Sequence, residues 1–484
     1  MFNEMPGYRC VSCDQDTIVI KDNSFDCTDC NLSYPVIDGI PVFTRRASQF
    51  VVAQAEELSS VRGKLKQLQE TFSQQSVTEK APIISARALK MATGLSLNIA
   101  LLDKQCEAIW TYANNASAGN DTIALATTQS GYSFDELLPY FYQDWFGTKP
   151  FADVVQNILP AVNDFCDERD SVAVFGAGAC GLVYVLSEHY QKSIGVDLAL
   201  PGLIMAKRLI EGERLSLCLE KADWMNIELS LPSSKHHNMH FIAANVMDTP
   251  FPDKSLSTVV TQYLLDIVPN AAWFMHEIRR ILKPGGVWIN FSKPFSWPSD
   301  NAALGPRRLS EITSILHDMG FNELQSKMTR FNVLSMEDIF QGGERFDQEV
   351  HMFAARKGDN ASRGPCSSVK GRIQKDQDEV WNQIPRLVES REIAVIDKTV
   401  YAAGLQTHTT GIHVLDTFMP LEQDFLTVIS ILLEAIDGRR TVRQLQFVLQ
   451  ERGIVMADTD FLDLIYCLNV QYYLLEFVGE FAAV

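Results

Sequence analysis

The stretch that most constrains the fold is Val172-Ala173-Val174-Phe175-Gly176-Ala177-Gly178-Ala179-Cys180-Gly181, with Ser193-Ile194-Gly195-Val196-Asp197 close behind it. Val172 to Phe175 reads as a strand buried on both faces, and the glycines let the chain turn tightly against a ligand. Leu182 to Tyr190 has helical apolar spacing, so the order is strand, glycine loop, helix, strand, acid. Asp197 ends the second strand, where a carboxylate can accept both hydroxyl protons of a ribose. A nucleoside-binding unit in a parallel sheet is expected. Dinucleotide-binding chains use the same letters, so the glycines alone do not choose the ligand.

The next segments do. Phe241 to Asp253 is followed by Ser257-Thr258-Val259-Val260-Thr261-Gln262-Tyr263-Leu264-Leu265-Asp266, and then by Glu277 to Asn290, which contains Leu282-Lys283-Pro284-Gly285-Gly286. This succession resembles the class I S-adenosylmethionine (SAM)-dependent methyltransferases, and the Leu-Lys-Pro-Gly-Gly turn before the fifth strand is among their more specific marks. The resemblance implies an α/β fold with a doubly wound, seven-stranded Rossmann-like methyltransferase sheet over residues 131–357 and SAM as cofactor. Within that class the chain is similar to the carnosine N-methyltransferase family, which methylates an imidazole nitrogen of a histidyl dipeptide. Asp144-Trp145, Gly176-Ala177-Gly178, Asp266 and Ile281 to Asn290 match its motifs, and Leu309 to Ile312, Met319 to Phe321 and Phe353 to Lys357 follow its later segments.

Carried over position by position, the resemblance implies cofactor contacts at Tyr140, Gln143, Gly176, Ala177, Gly178, Gly181, Asp197, Leu198, Asn245, Val246 and Gln262. It implies substrate contacts at Tyr142, Trp145, Asp266 and Trp297. Several positions depart from the family. Tyr140 and Gln143 stand where it has Gln and Arg, and Cys180-Gly181 replaces Gly-Arg, which removes a partner for the methionine carboxylate. Asn245 replaces an Asp, although an amide oxygen can still accept from the adenine amino group. Trp297 lies where the family has a substrate-side His, and Phe346, Asp347 and Gln348 where it has tyrosines.

Asp266 is expected to be catalytic, as the acceptor for the imidazole N–H opposite the methylated nitrogen. It stands at the carboxyl end of a parallel strand, where open α/β sheets place their sites. The alternative is a helix N-cap ahead of Pro269. His236, His237 and His240 are set aside as a metal cluster because no carboxylate stands at ligand spacing. Cys180 is read as a small filler, and Asp248 and Asp253 as turn residues.

At the amino end, Cys10-x2-Cys13 and Cys27-x2-Cys30 are separated by thirteen residues. Two such knuckles can close a tetrahedral structural Zn²⁺ site, which makes residues 1–45 a zinc ribbon. Tyr34 to Val42 resembles the tail of the ribbon proteins that activate methyltransferases, implying that the ribbon buttresses the catalytic domain. Residues 46–130 carry helical spacing, with expected breaks near Lys80-Ala81-Pro82 and at Gly94 and a loop from Asn114 to Gly131. Residues 358–378 read as a linker.

In residues 379–484, Leu421 to Ile436 has a helical apolar face, Thr441-x-x-Gln444 is a capping box for a helix ending at Gly453, Phe461 to Leu468 is another helix and Gln471 to Phe477 a strand. This order resembles PqqD-like winged-helix modules, implying capture of a partner peptide; packing or dimerisation is the alternative.

A length of 484 residues with 46% apolar content supports about three domains with real cores. A net charge of −18 argues against nucleic-acid backbones, which need a basic face. No apolar run reaches the ~18 residues of a membrane span. Asn3, Glu4 and Pro6 do not suit a secretory signal, and the ten cysteines suit a reducing compartment, so a cytoplasmic protein is expected. Three functions follow: methylation of a histidine derivative or small histidine-containing peptide, methylation of a side chain in a larger peptide held by the carboxyl-terminal module, or a noncatalytic cofactor-binding scaffold.

Overall fold

The computed structural model describes residues 7–116, 133–219, 224–231, 238–294, 309–334, 345–358, 380–388, 393–402, 405–414, 417–420, 423–471 and 474–478. The amino end forms four short strands, β1 (Ile18–Ile20), β2 (Ser24–Cys27), β3 (Ser33–Ile37) and β4 (Ile40–Phe43). Three helices follow, α1 (Ala47–Thr78), α2 (Pro82–Gln105) and α3 (Glu107–Ala116). After α4 (Phe134–Trp145) and α5 (Lys149–Phe165) comes the alternating unit β5 (Val172–Phe175), α6 (Gly181–Ser187), β6 (Ser193–Asp197) and α7 (Leu200–Ile210). A hairpin of β7 (Leu215–Leu219) and β8 (Met225–Leu229) precedes β9 (Met239–Ala244), β10 (Leu256–Gln262), α8 (Ala271–Ile281), β11 (Leu282–Ser292), α9 (Leu309–Asp318), β12 (Phe321–Leu334) and β13 (Arg345–Lys357).

Seven of these strands lie in the order β9-β6-β5-β10-β11-β13-β12, with the first five parallel and β13 antiparallel to both neighbours. This is the α/β sheet expected from the sequence. Val172 to Phe175 is buried along its whole length, as a central parallel strand requires. Gly286 shows why two glycines follow Pro284: a Cβ there would lie 3.0 Å from the carbonyl oxygens of both Lys283 and Ser257.

The segment expected to form a ribbon does not stand apart. β4 pairs in parallel with β9, Val42 against Ala243 and Phe43 against Ala244, so β1 to β4 extend the sheet to eleven strands. Tyr8 stacks on Phe43 with ring centres 5.1 Å apart, and Phe25 meets the two rings edge-on at 5.0 and 5.4 Å, which closes an aromatic core under these strands.

α1 and α2 pack as a hairpin joined by an Arg62 to Asp103 ion pair (2.8 Å). The chain breaks near Pro82 as expected, but α2 runs unbroken through Gly94. The glycine is there for contact: a Cβ would fall 2.5 Å from Cys218 Sγ and 2.8 Å from the Trp224 ring. Asn98, one turn on, exchanges two 2.8 Å hydrogen bonds with the Cys218 backbone and fixes β7 to α2. Gly94→Ala is therefore expected to lower stability by about 1–3 kcal/mol through overpacking. An unchanged melting temperature would refute that origin for the glycine.

α3 continues to Ala116, and the rest of the Asn114 to Gly131 loop lies outside the described residues, as does all of the 358–378 linker but its first residue. Beyond it, β14 (Ile384–Leu387) pairs with β18 (Leu475–Val478), and β15 (Ile393–Ala402), β16 (Leu405–Val414) and β17 (Thr417–Pro420) form an antiparallel sheet. α10 (Gln423–Ala435), α11 (Val442–Glu451) and α12 (Asp458–Tyr466) follow, and the capping box is formed, with Thr441 N–H donating to Gln444 Oε1 at 2.8 Å.

Candidate cofactor and acceptor site

The glycine loop is shaped by three left-handed residues, Gly176 (φ 67°), Gly178 (φ 52°) and Cys180 (φ 65°). Gly176 and Ala177 N–H groups donate to the Val196 carbonyl at 3.0 and 3.2 Å, which pins the loop to β6. A Cβ at Gly178 would meet no atom within 4 Å, so a ligand has room to lie against that backbone. Asp197 closes the far side. Its Oδ2 accepts from Gly178 N–H and its Oδ1 from Ala199 N–H, both at 2.8 Å. Burial pushes this carboxyl above its usual range while those N–H groups oppose the shift. A carboxylate has about four acceptor positions, so Asp197 retains capacity to accept from a ribose hydroxyl.

α4 packs against the same loop. Trp145 Nε1 donates to the Ala179 carbonyl at 2.8 Å, and Asp144 Oδ2 accepts from Gly181 N–H at 3.2 Å. Gly181 is required there, because a Cβ would lie 2.6 Å from Asp144 Cβ. Burial raises the Asp144 carboxyl to about 7, with the Gly181 N–H opposing. The polar edge of Trp145 is thus committed to the loop. Tyr140 is exposed, Gln143 half-buried, and Tyr142 buried and stacked on Phe146 at 4.9 Å. Leu198 follows Asp197, and Gln262 ends β10; both are half-buried. Trp297 lies outside the described residues.

Asn245 and Val246 open a tight turn after β9. Asn245 Oδ1 accepts from Met247 N–H (2.9 Å), and its carbonyl accepts from Asp248 N–H (3.0 Å). Asp253, read from the sequence as a turn residue, also pairs with Arg280 at 2.9 Å. Thr249 donates from both N–H and hydroxyl to buried Glu277, which holds Arg280 at 2.6 Å, so residues 245–253 form a polar hub.

Beyond β10, Tyr263 adopts φ 47°, an uncommon conformation for a bulky residue, and turns the chain toward Asp266. Asp266 is half-buried, and its Oδ1 is buried with no hydrogen-bond partner among the described residues. Burial raises its carboxyl above the ordinary value, while its own backbone N–H and the charge of Lys293 oppose the shift. The N-cap alternative is not what forms: Asn270 caps α8, its Oδ1 accepting from Trp273 N–H at 3.0 Å.

Sequence context marks neither of two further groups. Asp144 stands in the sequence only as half of a matching dipeptide. His351 sits mid-strand in β13 with no local signal. It is fully buried, its Nδ1 has no partner among the described residues, Ser326 Oγ lies 3.4 Å from Nε2, and burial lowers its pKa to about 4.

The sulfurs of Cys10, Cys13, Cys27 and Cys30 all lie within 4.8 Å of one another, with Cys10 to Cys30 at 3.5 Å and Cys13 to Cys27 at 3.6 Å. A tetrahedron with ~2.3 Å metal–sulfur bonds has edges of about 3.8 Å, so the donor set fits Zn²⁺. Tyr34 Oη lies 3.1 Å from Cys10 Sγ as an outer-shell partner. His240 is buried at the head of β9, while His236 and His237 lie outside the described residues. Among the described residues no helix is long and apolar enough to cross a membrane.

Residues 174–290 match the family model described as a methyltransferase domain. Demethylmenaquinone methyltransferase of Geobacillus stearothermophilus is 26% identical over 132 residues, covering 21% of this chain and 56% of the relative. The enzyme of the same name from Listeria welshimeri is 42% identical over 60 residues, covering 12% of this chain and 25% of the relative. The chain thus spans about half the length, or less, of these curated relatives. Among solved structures, geranyl diphosphate C-methyltransferase from Streptomyces coelicolor is 14% identical with a TM-score of 0.29, covering 42% of this chain and 76% of that one. A Haloferax volcanii protein solved with the Trm112 methyltransferase activator is 14% identical with a TM-score of 0.34, covering 47% and 99%. Gly176 to Gly181, Asp197 and Leu282 to Gly286 of this chain all fall in the segment matched by the methyltransferase family model, and the chain carries a class I S-adenosylmethionine-dependent methyltransferase domain.

Proposed function

We propose that the protein is a SAM-dependent N-methyltransferase whose acceptor is an imidazole nitrogen of a histidine derivative or small histidine-containing peptide. The observation that carries this reading is the buried Oδ1 of Asp266, just past the carboxyl end of β10, which has no hydrogen-bond partner among the described residues. A buried acceptor left unpaired costs free energy, so its persistence suits a substrate that brings a donor. SAM supplies a methyl group already activated on a sulfonium sulfur. Gly176 to Gly181 and Asp197 would hold its adenosyl part, with Asn245 at the adenine side. Asp266 accepts the N–H of the acceptor ring, which leaves the other nitrogen's lone pair free for the methyl, and it offsets the positive charge the ring gains. The ring N–H proton is released afterwards to water. An imidazole is mostly neutral at pH 7, so no strong base is needed.

Cys10, Cys13, Cys27 and Cys30 would hold a structural Zn²⁺, and the carboxyl-terminal module would receive a peptide or protein partner. A peptide side chain is the second reading, favoured by the hydrogen bond from the Tyr466 hydroxyl of α12 to Asp248 in the turn that Asn245 opens. The test uses the full chain. Calorimetry is expected to show micromolar SAM binding, and a methyl-transfer screen over histidine, histidyl dipeptides and longer histidine peptides to show turnover. No SAM binding would instead indicate a scaffold, and turnover of long peptides alone would select the second reading.

A further inference from the structure

A buried polar joint ties the carboxyl-terminal module to the carboxyl ends of β4 and β9. Arg46 Nε donates to Asp463 Oδ2 and Arg46 Nη2 to Asp460 Oδ1, both at 2.6 Å, while Arg45 Nε reaches Asp463 Oδ1 at 3.1 Å. Arg45 also lies over the Tyr466 ring, 4.3 Å from its centre, and the Tyr466 hydroxyl donates to Asp248 Oδ2. Arg46 is 8% exposed and Asp463 17%, so these charges are largely withdrawn from water and depend on one another. The cavity at this joint is lined by Phe43, Thr44, Arg45, Asn245, Asp248 and Tyr466, among others, and the buried Thr44 hydroxyl has no partner there among the described residues.

Asp248 is bonded through its N–H to the carbonyl of Asn245, whose Oδ1 holds Met247 N–H. The turn is therefore one hydrogen-bonded unit with two ends. One end is Asn245, and the other is gripped from a helix more than two hundred residues away in sequence.

We infer that α12 is part of the cofactor site, with Tyr466 acting as a positioning residue that sets the Asn245 to Asp248 turn for the adenine of SAM. This rests on the proposed SAM site and adds to it an internal partner, the carboxyl-terminal module. Because the turn is shared, cofactor binding and docking of α12 must favour each other by the same factor, as linkage requires. A peptide bound to the module would then change SAM affinity without touching the cofactor.

The experiment compares the full-length protein with Tyr466→Phe, which keeps the ring under Arg45 and removes only the hydroxyl. Calorimetry with SAM is expected to show binding about fivefold weaker in the variant, at the low end of measured site-to-site couplings. Amide exchange of the unsubstituted protein, read with and without saturating SAM, is expected to slow at residues 245–248 and at Asp458 to Tyr466. Equal affinity in the two proteins, or no change of exchange at Asp458 to Tyr466, overturns the inference. No SAM binding by the unsubstituted protein overturns the reading of the cofactor site itself.

Discussion

Asp266→Leu is expected to lower kcat by about 10² to 10³ while the SAM dissociation constant stays within twofold, the size of effect seen when one preorganised transition-state partner is removed. Asp266→Asn keeps an oxygen that can accept the ring N–H but loses the charge, and hydrogen bonds to an ionised group are about twice as strong as neutral ones. Its loss should therefore fall between wild type and Leu. The carboxyl is raised by burial, so its protonated form is favoured in the fold. On the proposed mechanism activity needs the ionised form and should fall as pH drops through that raised value. Stability has the opposite sign: ionising Asp266 is a penalty absent below the unfolded pKa and fully present above the folded one. Asp266→Asn should then be at least as stable as wild type at pH 7, which separates a chemical role from a structural one. The rate profile with pH and a thermal melt measure both. A kcat for Asp266→Leu within twofold of wild type would end the assignment, and an acceptor without an N–H would produce that result.

The part of the site that is local in sequence was legible before the fold was known. Val172 to Gly181 and Asp197 announce a strand, a ligand-bearing turn and an acid because each depends only on residues a few positions away, and the structure joins them through Gly178 N–H to Asp197. Gly94 misled because helix propensity penalises glycine, whereas here the packing of Cys218 and Trp224 excludes any side chain. Ile40 to Phe43 reads as a ribbon tail; its partner in β9 lies two hundred residues on, and no periodicity marks a pairing across that distance. Asp248 shows the same limit, since its sequence context is a turn and its buried bond to Tyr466 is tertiary. Ile393 to Tyr401 carried the β-branched signal of a strand, and its neighbours could have been read as the meander they form.

Loss of the Zn²⁺ proposed at Cys10, Cys13, Cys27 and Cys30 should cost more than the amino-terminal strands alone. Zinc ligation supplies folding free energy directly, so Cys27→Ser with Cys30→Ser, or a strong chelator, should unfold residues 7–37. Yet β4 is a strand of the main sheet, Phe43 packs in the aromatic core with Tyr8 and Phe25, and Arg9 N–H donates to the Pro250 carbonyl at 2.8 Å. Loss of that packing strips one edge of β9 and loosens the 245–253 hub. Exposing a sheet edge invites association as well as unfolding. The expected result is one zinc released per chain, a melting temperature lower by roughly 10 °C for a loss of several kcal/mol in a domain of this size, and weaker SAM binding. Metal analysis, a thermal scan and calorimetry read the three effects. If the sheet melts at the same temperature with and without zinc, the ribbon is not its support, and the pairing of β4 with β9 contributes no measurable stability.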